Sequence, residues 1–293
     1  MPRLPETVQL TRVADLDLCA GSGLVRRGDE LVVVADDRLS LSRYGLDGAP
    51  RGTIRLFDGE LPDDPIARKQ VKPDLEALVE LPGGLLAVPS GSKRRRHRGA
   101  WIPVGRGARP GAVVREVDFG PLYEHLRGEF DRLNVEGAAL MGAHLVLFTR
   151  RTGRVGRNAL VRLRLLDVLA ALAMSRPRLT GAPIVDITDV ALGDEGGTPY
   201  GFTDAFGERD TAVFVAAAEA TDDPVQDGHL AGCVIGRLDA QLRVCARWSV
   251  APRLKLEGIA PDGTGGLWAV ADADDPQVPA PLLHVARLPA SPA

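Results

Sequence analysis

The chain has 293 residues, 45% of them hydrophobic, 26% charged and only 4% aromatic, with a formal net charge of −3. This length suits one large all-β domain or two ordinary domains, and the weakly negative balance argues against generic attraction to nucleic acid or to a membrane surface. No segment approaches the ~20 uncharged apolar residues of a spanning helix, residues 1–6 carry no apolar leader, and Cys19, Cys233 and Cys245 show neither disulfide-framework nor metal spacing, so a cytoplasmic monomer with no nucleic-acid or membrane partner is expected.

Thr7–Val13 alternates polar and apolar residues and reads as a strand. Ser22–Val25, Asp29–Ala35, Leu39–Tyr44 and Gly52–Phe57 follow as four short strands, separated by the turn signals Arg27-Gly28-Asp29, Asp36-Asp37 and Leu46-Asp47-Gly48. A four-stranded meander of this kind is the unit of a β-propeller blade. Leu75–Glu80, Leu85–Ser90, Ala100–Val104 and Val113–Asp118 repeat the pattern, with Pro82-Gly83-Gly84 as the first turn. Val135–Leu140, His144–Arg150, Ala159–Arg164 and Ile184–Val190 repeat it again around an insert, Leu166–Ser175, whose Leu and Ala content predicts the only helix of the chain. A fourth unit spans 201–250. The fifth shows three strands, Leu256–Ala260, Leu267–Ala271 and Leu282–Leu288. Thr7–Val13 is expected to supply the missing one, closing the ring and removing exposed sheet edges. The blades are thus placed at about 18–60, 73–119, 133–192, 201–250 and 256–288 plus strand 7–13, in one propeller domain over 1–293.

One short phrase opens each unit: Ala20-Gly21-Ser22-Gly23, Asp74-Leu75-Glu76-Ala77, Asn134-Val135-Glu136-Gly137, Gly201-Phe202-Thr203-Asp204-Ala205 and Lys255-Leu256-Glu257-Gly258. Recurrence at this period in β-hairpin units is a propeller signature. With Ser22, Glu76, Glu136, Asp204 and Glu257 as anchors, the spacings are 54, 60, 68 and 53 residues, which fit five blades; a six-bladed ring would need a further unit within 150–200.

These phrases, with Lys72-Pro73, Ser90-Gly91-Ser92 and Ala218-Glu219-Ala220-Thr221, resemble the phytase-like β-propeller proteins, among them the group with esterase-like activity of phytase and related bacterial domains of unknown function. The resemblance spans about 18–288 and implies a propeller with an acidic central site, in some members holding calcium. It implies no assigned reaction, and the acid-rich calcium clusters of alkaline phytases are not recognisable in the chain.

In a blade the innermost strand lines the channel and the second strand runs back antiparallel to it. The start of the first and the end of the second therefore open on one face. That face is expected to collect Ser22, Asp36 and Asp37; Asp74, Glu76, Ser90, Ser92 and Lys93; Asn134, Glu136, Thr149, Arg150 and Arg151; Thr203, Asp204, Glu219 and Thr221; and Lys255, Glu257, Asp272 and Asp274. Four carboxylates, Glu76, Glu136, Asp204 and Glu257, would crowd a narrow channel, where like charges disfavour one another's ionisation.

A hard cation such as Ca²⁺, ion pairs with Lys93, Arg150, Arg151 or Lys255, or shared protons would offset them. If a metal does so, those four acids are its ligands. The same four are the candidates for catalysis in a metal-assisted ester or phosphoester hydrolase, with Asp74, Ser92, Lys93, Asn134, Arg150, Glu219 and Lys255 holding substrate. The other reading is that the acids accept backbone N–H groups of neighbouring blades and tie the ring together. The function read from the sequence is an acidic channel site that binds a small molecule, a metal or a protein partner, with the hydrolase as alternative. The basic run Lys93–Arg98 is read as a solvated hairpin loop, and the five histidines form no zinc pair.

Overall fold

The computed structural model describes residues 6–104, 113–152, 156–220, 229–272, 275 and 277–289. Thr221 and Asp274 lie outside them. Five sheets form the fold, antiparallel apart from one parallel edge pair. Ahead of the blades come β1 (Thr7–Gln9) and β2 (Thr11–Asp15). Blade one is β3 (Gly21–Arg27), β4 (Glu30–Ala35), β5 (Ser40–Gly45) and β6 (Pro50–Arg55). Blade two is β7 (Leu75–Leu81), β8 (Gly84–Pro89), β9 (Arg98–Pro103) and β10 (Arg115–Asp118). Blade three is β11 (Val135–Met141), β12 (His144–Thr149), β13 (Ala159–Arg164) and β14 (Ile184–Asp189). A two-residue strand, β15 (Asp194–Glu195), pairs with the start of β16 (Thr198–Glu208). Blade four continues through β17 (Thr211–Ala220), β18 (His229–Leu238) and β19 (Val244–Ala251). Blade five is β20 (Lys255–Pro261), β21 (Leu267–Asp272) and β22 (Pro281–Val285).

The five innermost strands pack side by side in a closed circuit: β3 on β7, β7 on β11, β11 on β16, β16 on β20 and β20 on β3. The ring therefore has five blades, and the six-bladed alternative is excluded. Residues 156–200 instead hold β13, β14, β15, the start of β16 and a helix. The N-terminal segment divides its work, where the sequence suggests one strand. β2 is the outer strand of blade five, antiparallel to β22, whereas β1 runs parallel to β19 and extends blade four. The chain start thus bridges two blades.

The hydrophobic core is split into five clusters, one between each pair of neighbouring blades. The first and second strands of each blade feed two of them. Val32 and Val34 pack toward blade two, while Leu31 and Val33 pack toward blade five. Both faces of a blade are covered, which is why the second strands read as unbroken apolar runs rather than as alternating ones. Leu, Val and Ala supply most of that core.

Three helices are present among the described residues, against the single one expected. The insert forms α3 (Leu165–Ala173), with Val168 and Leu172 buried. The two others are α1 (Pro65–Val71) and α2 (Gly120–Leu126). α1 buries no side chain, so it leaves no apolar periodicity in the sequence. Its signals are Asp64, which caps it by accepting from Ala67 N at 2.8 Å, and Pro65 in the first turn. Among the described residues no helix is long and apolar enough to cross a membrane.

Candidate functional site

Every inner strand carries the same irregularity near its start. The pairing with the second strand skips one residue between Gly21 and Gly23, Leu75 and Ala77, Val135 and Gly137, Phe202 and Asp204, and Leu256 and Gly258. The residues left out of the ladder are Ser22, Glu76, Glu136, Thr203 and Glu257. A β-bulge of this kind re-aims a side chain, so the recurring phrase encodes a bulge. Thr203, not Asp204, is the blade-four equivalent of the three glutamates.

The residue after each bulge is Gly23, Ala77, Gly137, Asp204 or Gly258. Small residues are needed there because the inner strands approach closely. A Cβ on Gly23 would lie 2.5 Å from Leu78 N, and one on Gly258 would lie 3.1 Å from Leu24 Cβ. Asp204 alone carries a larger side chain. Its Oδ2 accepts the amide of Ile259 at 2.8 Å, and the neighbouring Thr203 Oγ1 donates to Leu256 O at 2.6 Å. Burial, at 1% exposure, pushes the Asp204 carboxyl well above the usual range. Both residues join blade four to blade five.

The remaining charges form two networks. The first crosses blades three, four and five as an alternating series. Asn134 Nδ2 donates to Glu136, and Arg150 lies 3.6 Å from Glu136 Oε2 and pairs with Glu219. Lys255 Nζ lies 2.9 Å from Glu219 Oε1 and 3.0 Å from Glu257 Oε1. Burial raises the Glu136 carboxyl to about 8; Arg150 opposes the rise and Glu257 adds to it. Burial alone would raise Glu219 too, but Arg150 and Lys255 together hold it below its ordinary value. Glu257 is raised, again by burial first.

The second network joins blades one and two. Lys72, at the end of α1, pairs with Asp36 and lies 3.3 Å from Asp74 Oδ1. Arg96 Nη1 lies 2.7 Å from Asp74 Oδ2 and donates to Ser92 Oγ at 2.7 Å. Ser90 and Ser92 hydroxyls also donate to Asp74 Oδ2. Asp74 is 2% exposed and sits at φ 62°, a left-handed conformation that Asp tolerates better than most residues. Glu76 stands beside this network. Carboxylate oxygens of Asp36, Asp74 and Glu76 lie within 4.8 Å of one another. Burial first, then Asp74, Glu136 and Asp36, push the Glu76 carboxyl well up, with only Lys72 opposing.

The structure thus brings together Asp74, Glu76 and Ser92 on one side of the mouth, and Asn134, Glu136, Arg150, Glu219, Lys255 and Glu257 on the other. Asp204 stands one position beyond its bulge, bonded to the next blade. Lys93 is half-buried at the rim, in the field of Asp74 and Arg96. Two contributors lie outside the expected set, Lys72 and Arg96. Lys72 occupies the loop end ahead of the bulge phrase. Arg96 belongs to the basic run read as solvated, yet it is 8% exposed while Arg94 and Arg95 face out. Nothing in the run Lys93–Arg98, five Lys or Arg interrupted by His97, marks the one that turns inward. Of the seven buried charged residues described, six (Asp74, Arg96, Glu136, Asp204, Lys255, Glu257) belong to these networks or to the adjoining tie, and only Asp262 does not. Buried charge costs folding energy unless paired, so its concentration at one place marks the channel mouth as the candidate site. Six carboxylates there (Asp36, Asp74, Glu76, Glu136, Glu219, Glu257) face four cations (Lys72, Arg96, Arg150, Lys255), two negative charges in excess when all are ionised.

Fold and site together define a five-bladed β-propeller with a charged channel mouth. The chain belongs to the family of unknown function DUF6929, whose profile matches residues 17–286. The resemblance read from the sequence holds at the level of the propeller. No curated protein matches the sequence. Among solved structures, the glutaminyl cyclase of Myxococcus xanthus is similar with a TM-score of 0.54 at 13% identity, over 96% of this chain and 97% of that one. The PQQ-bound aldose sugar dehydrogenase of Streptomyces coelicolor gives 0.46 at 14% identity, over 95% and 98%. An arabinanase of Bacillus subtilis gives 0.45 at 10%, over 93% and 96%. Identities this low speak to the fold alone.

Proposed function

We propose that the protein binds a small, positively charged ligand at the channel mouth, on the side formed by blades one and two. The observation that carries this reading is Glu76. It lies within carboxylate contact distance of Asp36 and Asp74, and the cations of that network are already engaged with those two. An incoming cation would offset the like-charge crowding that adds to burial in raising the Glu76 carboxyl. The oxygen-only donor set suits Ca²⁺, but the Lys72 ammonium already lies against Asp36 and Asp74, so a calcium ion must displace it. A singly charged organic ammonium needs only Glu76. The test is thermal unfolding with added Ca²⁺, with EDTA and with ethanolamine, for wild type and Glu76→Gln. A cation that binds the native state raises the midpoint. The reading is sunk if neither cation moves the wild-type midpoint, or if Glu76→Gln responds as wild type does.

A second reading, a hydrolase of the ester or phosphoester kind, is favoured by one observation. Arg150 touches two carboxylates whose proton affinities are driven apart, Glu136 up to about 8 and Glu219 down. Such separation is how acid and base roles are assigned in carboxylate pairs. Glu136 would carry the proton. Esterase and phosphatase turnover that Glu136→Gln abolishes without lowering the melting temperature would support it.

A further inference from the structure

We infer that residues 62–72, which carry α1, form a hinged strap at the blade one–two side of the mouth, latched shut by Lys72. As a gate to the cation site the strap rests on the binding reading above; the latch itself is tested without it.

The strap is anchored at both ends and loosely held between them. Leu61 packs against the apolar cluster between blades one and two. At the other end Pro73 is buried, and Asp74 N donates to Asp36 O at 3.2 Å. No residue of 62–72 is buried, and Ile66 and Val71 are 75% and 56% exposed. A helix of seven residues does not persist in water by itself, and α1 has no apolar face packed on the blades to support it. Polar contacts hold it instead. Arg68 lies 3.6 Å from Asp37 Oδ2, both side chains being partly exposed. Arg95 Nη2 donates to Gln70 Oε1 at 2.9 Å on the surface. Contacts of this exposed kind contribute little.

Lys72 is different. Its side chain is only 12% exposed; it pairs with Asp36 and lies 3.3 Å from Asp74 Oδ1. Asp36 and Asp37 follow β4 of blade one, Asp74 leads into β7 and Arg95 follows β8 of blade two, so the strap is fastened to both blades where they meet at the mouth. A segment with so few buried apolar contacts opens locally before the blades do, and the Lys72 pairs are its strongest attachment. When the strap lifts, the ammonium leaves with it, and the clustered carboxylates of Asp36, Asp74 and Glu76 are left to an incoming cation.

Hydrogen exchange of the whole protein, read by mass spectrometry on peptides covering 62–72, tests the latch. In the closed strap the amides of Arg68 and Lys72 donate to Asp64 O and Arg68 O at 2.8 and 2.9 Å. Lys72→Met is expected to speed their exchange about ten-fold, the scale of one charge-assisted hydrogen bond. β7 and β8 should exchange as in wild type. Asp36→Asn removes the partner instead of the latch and should also open the strap, whereas Gln70→Ala should change the rate less than about three-fold. The inference is overturned if 62–72 exchanges at the wild-type rate in both Lys72→Met and Asp36→Asn, or if β7 and β8 loosen equally. Ca²⁺, which must displace Lys72, is expected to speed exchange of 62–72 in wild type while raising the melting midpoint. If Ca²⁺ raises the midpoint through Glu76 and the strap does not open, the gate fails and the cation reading stands. If Lys72→Met opens the strap but no cation raises the midpoint, the latch stands and the cation reading falls.

Discussion

Asp204 Oδ2 holds the amide of Ile259 at 2.8 Å and so joins the inner strand of blade four to that of blade five, at a position where three other blades carry glycine and one alanine. The bond is buried and its loss would leave the Ile259 N–H unsatisfied. Asp204→Ala is expected to destabilise the fold by about 1–3 kcal/mol. Asp204→Asn keeps an acceptor and carries no ionisable group to desolvate, so it should cost much less. Urea unfolding of the two variants decides; equal stability of Asp204→Ala and wild type would show that the tie contributes nothing.

Lys255 lies between two carboxylates whose side chains are less than 10% exposed, Glu219 and Glu257. Removing one partner of a buried pair leaves uncompensated charge, typically at a cost of about 3–5 kcal/mol. Lys255→Met is therefore expected to be among the most damaging single changes in the ring. The double variant Lys255→Met with Glu257→Gln should recover part of the loss, and a double-mutant cycle by denaturant unfolding measures the coupling.

The basic run 93–98 should respond unevenly. Arg96 is buried on Asp74 and Ser92, so Arg96→Ala is expected to cost roughly 1.5–3 kcal/mol. Arg94→Ala and Arg95→Ala change exposed side chains and should stay within about 0.5 kcal/mol of wild type. Three equal effects would contradict the inward turn of Arg96.

Glu136 gives a pH dependence of defined sign. Its folded-state carboxyl is raised from the ordinary 4.5 to about 8, so the folded chain holds a proton that the unfolded chain releases. The stability it contributes is full below pH ~4.5 and is lost as pH rises through about 8. Wild type should lose about 5 °C in melting temperature relative to Glu136→Gln between pH 5 and 8. Glu219, held low by Arg150 and Lys255, acts with the opposite sign and loses its contribution as pH falls. Parallel melting curves for wild type and Glu136→Gln would refute the shift.

The five-fold architecture was legible because each blade repeats an apolar four-strand pattern, and the inward set was legible because the start of one strand and the end of the next share a face. Asp74, Glu76, Glu136, Glu219, Lys255 and Glu257 all come from that rule. Thr203-Asp204 defeated it. Both residues are polar, and only the bulge register shows which one leaves the ladder. α1 escaped because it buries nothing and so carries no amphipathic pattern.

The sequence by itself determined the number of blades, the strands within them and the residues that would meet at the channel, since these follow from local periodicity and a repeated phrase. Tertiary structure decided how the charges are used. Which cation neutralises which carboxylate depends on distances between chains of atoms far apart in sequence, Lys72 on Asp36 and Arg150 on Glu219 across blade boundaries. A carboxylate's proton affinity likewise depends on its burial and on the charges around it, neither of which is a property of its own segment. Only the closed ring could show that Asp204 is bonded to the next blade while Glu76 forms no ion pair with a described residue.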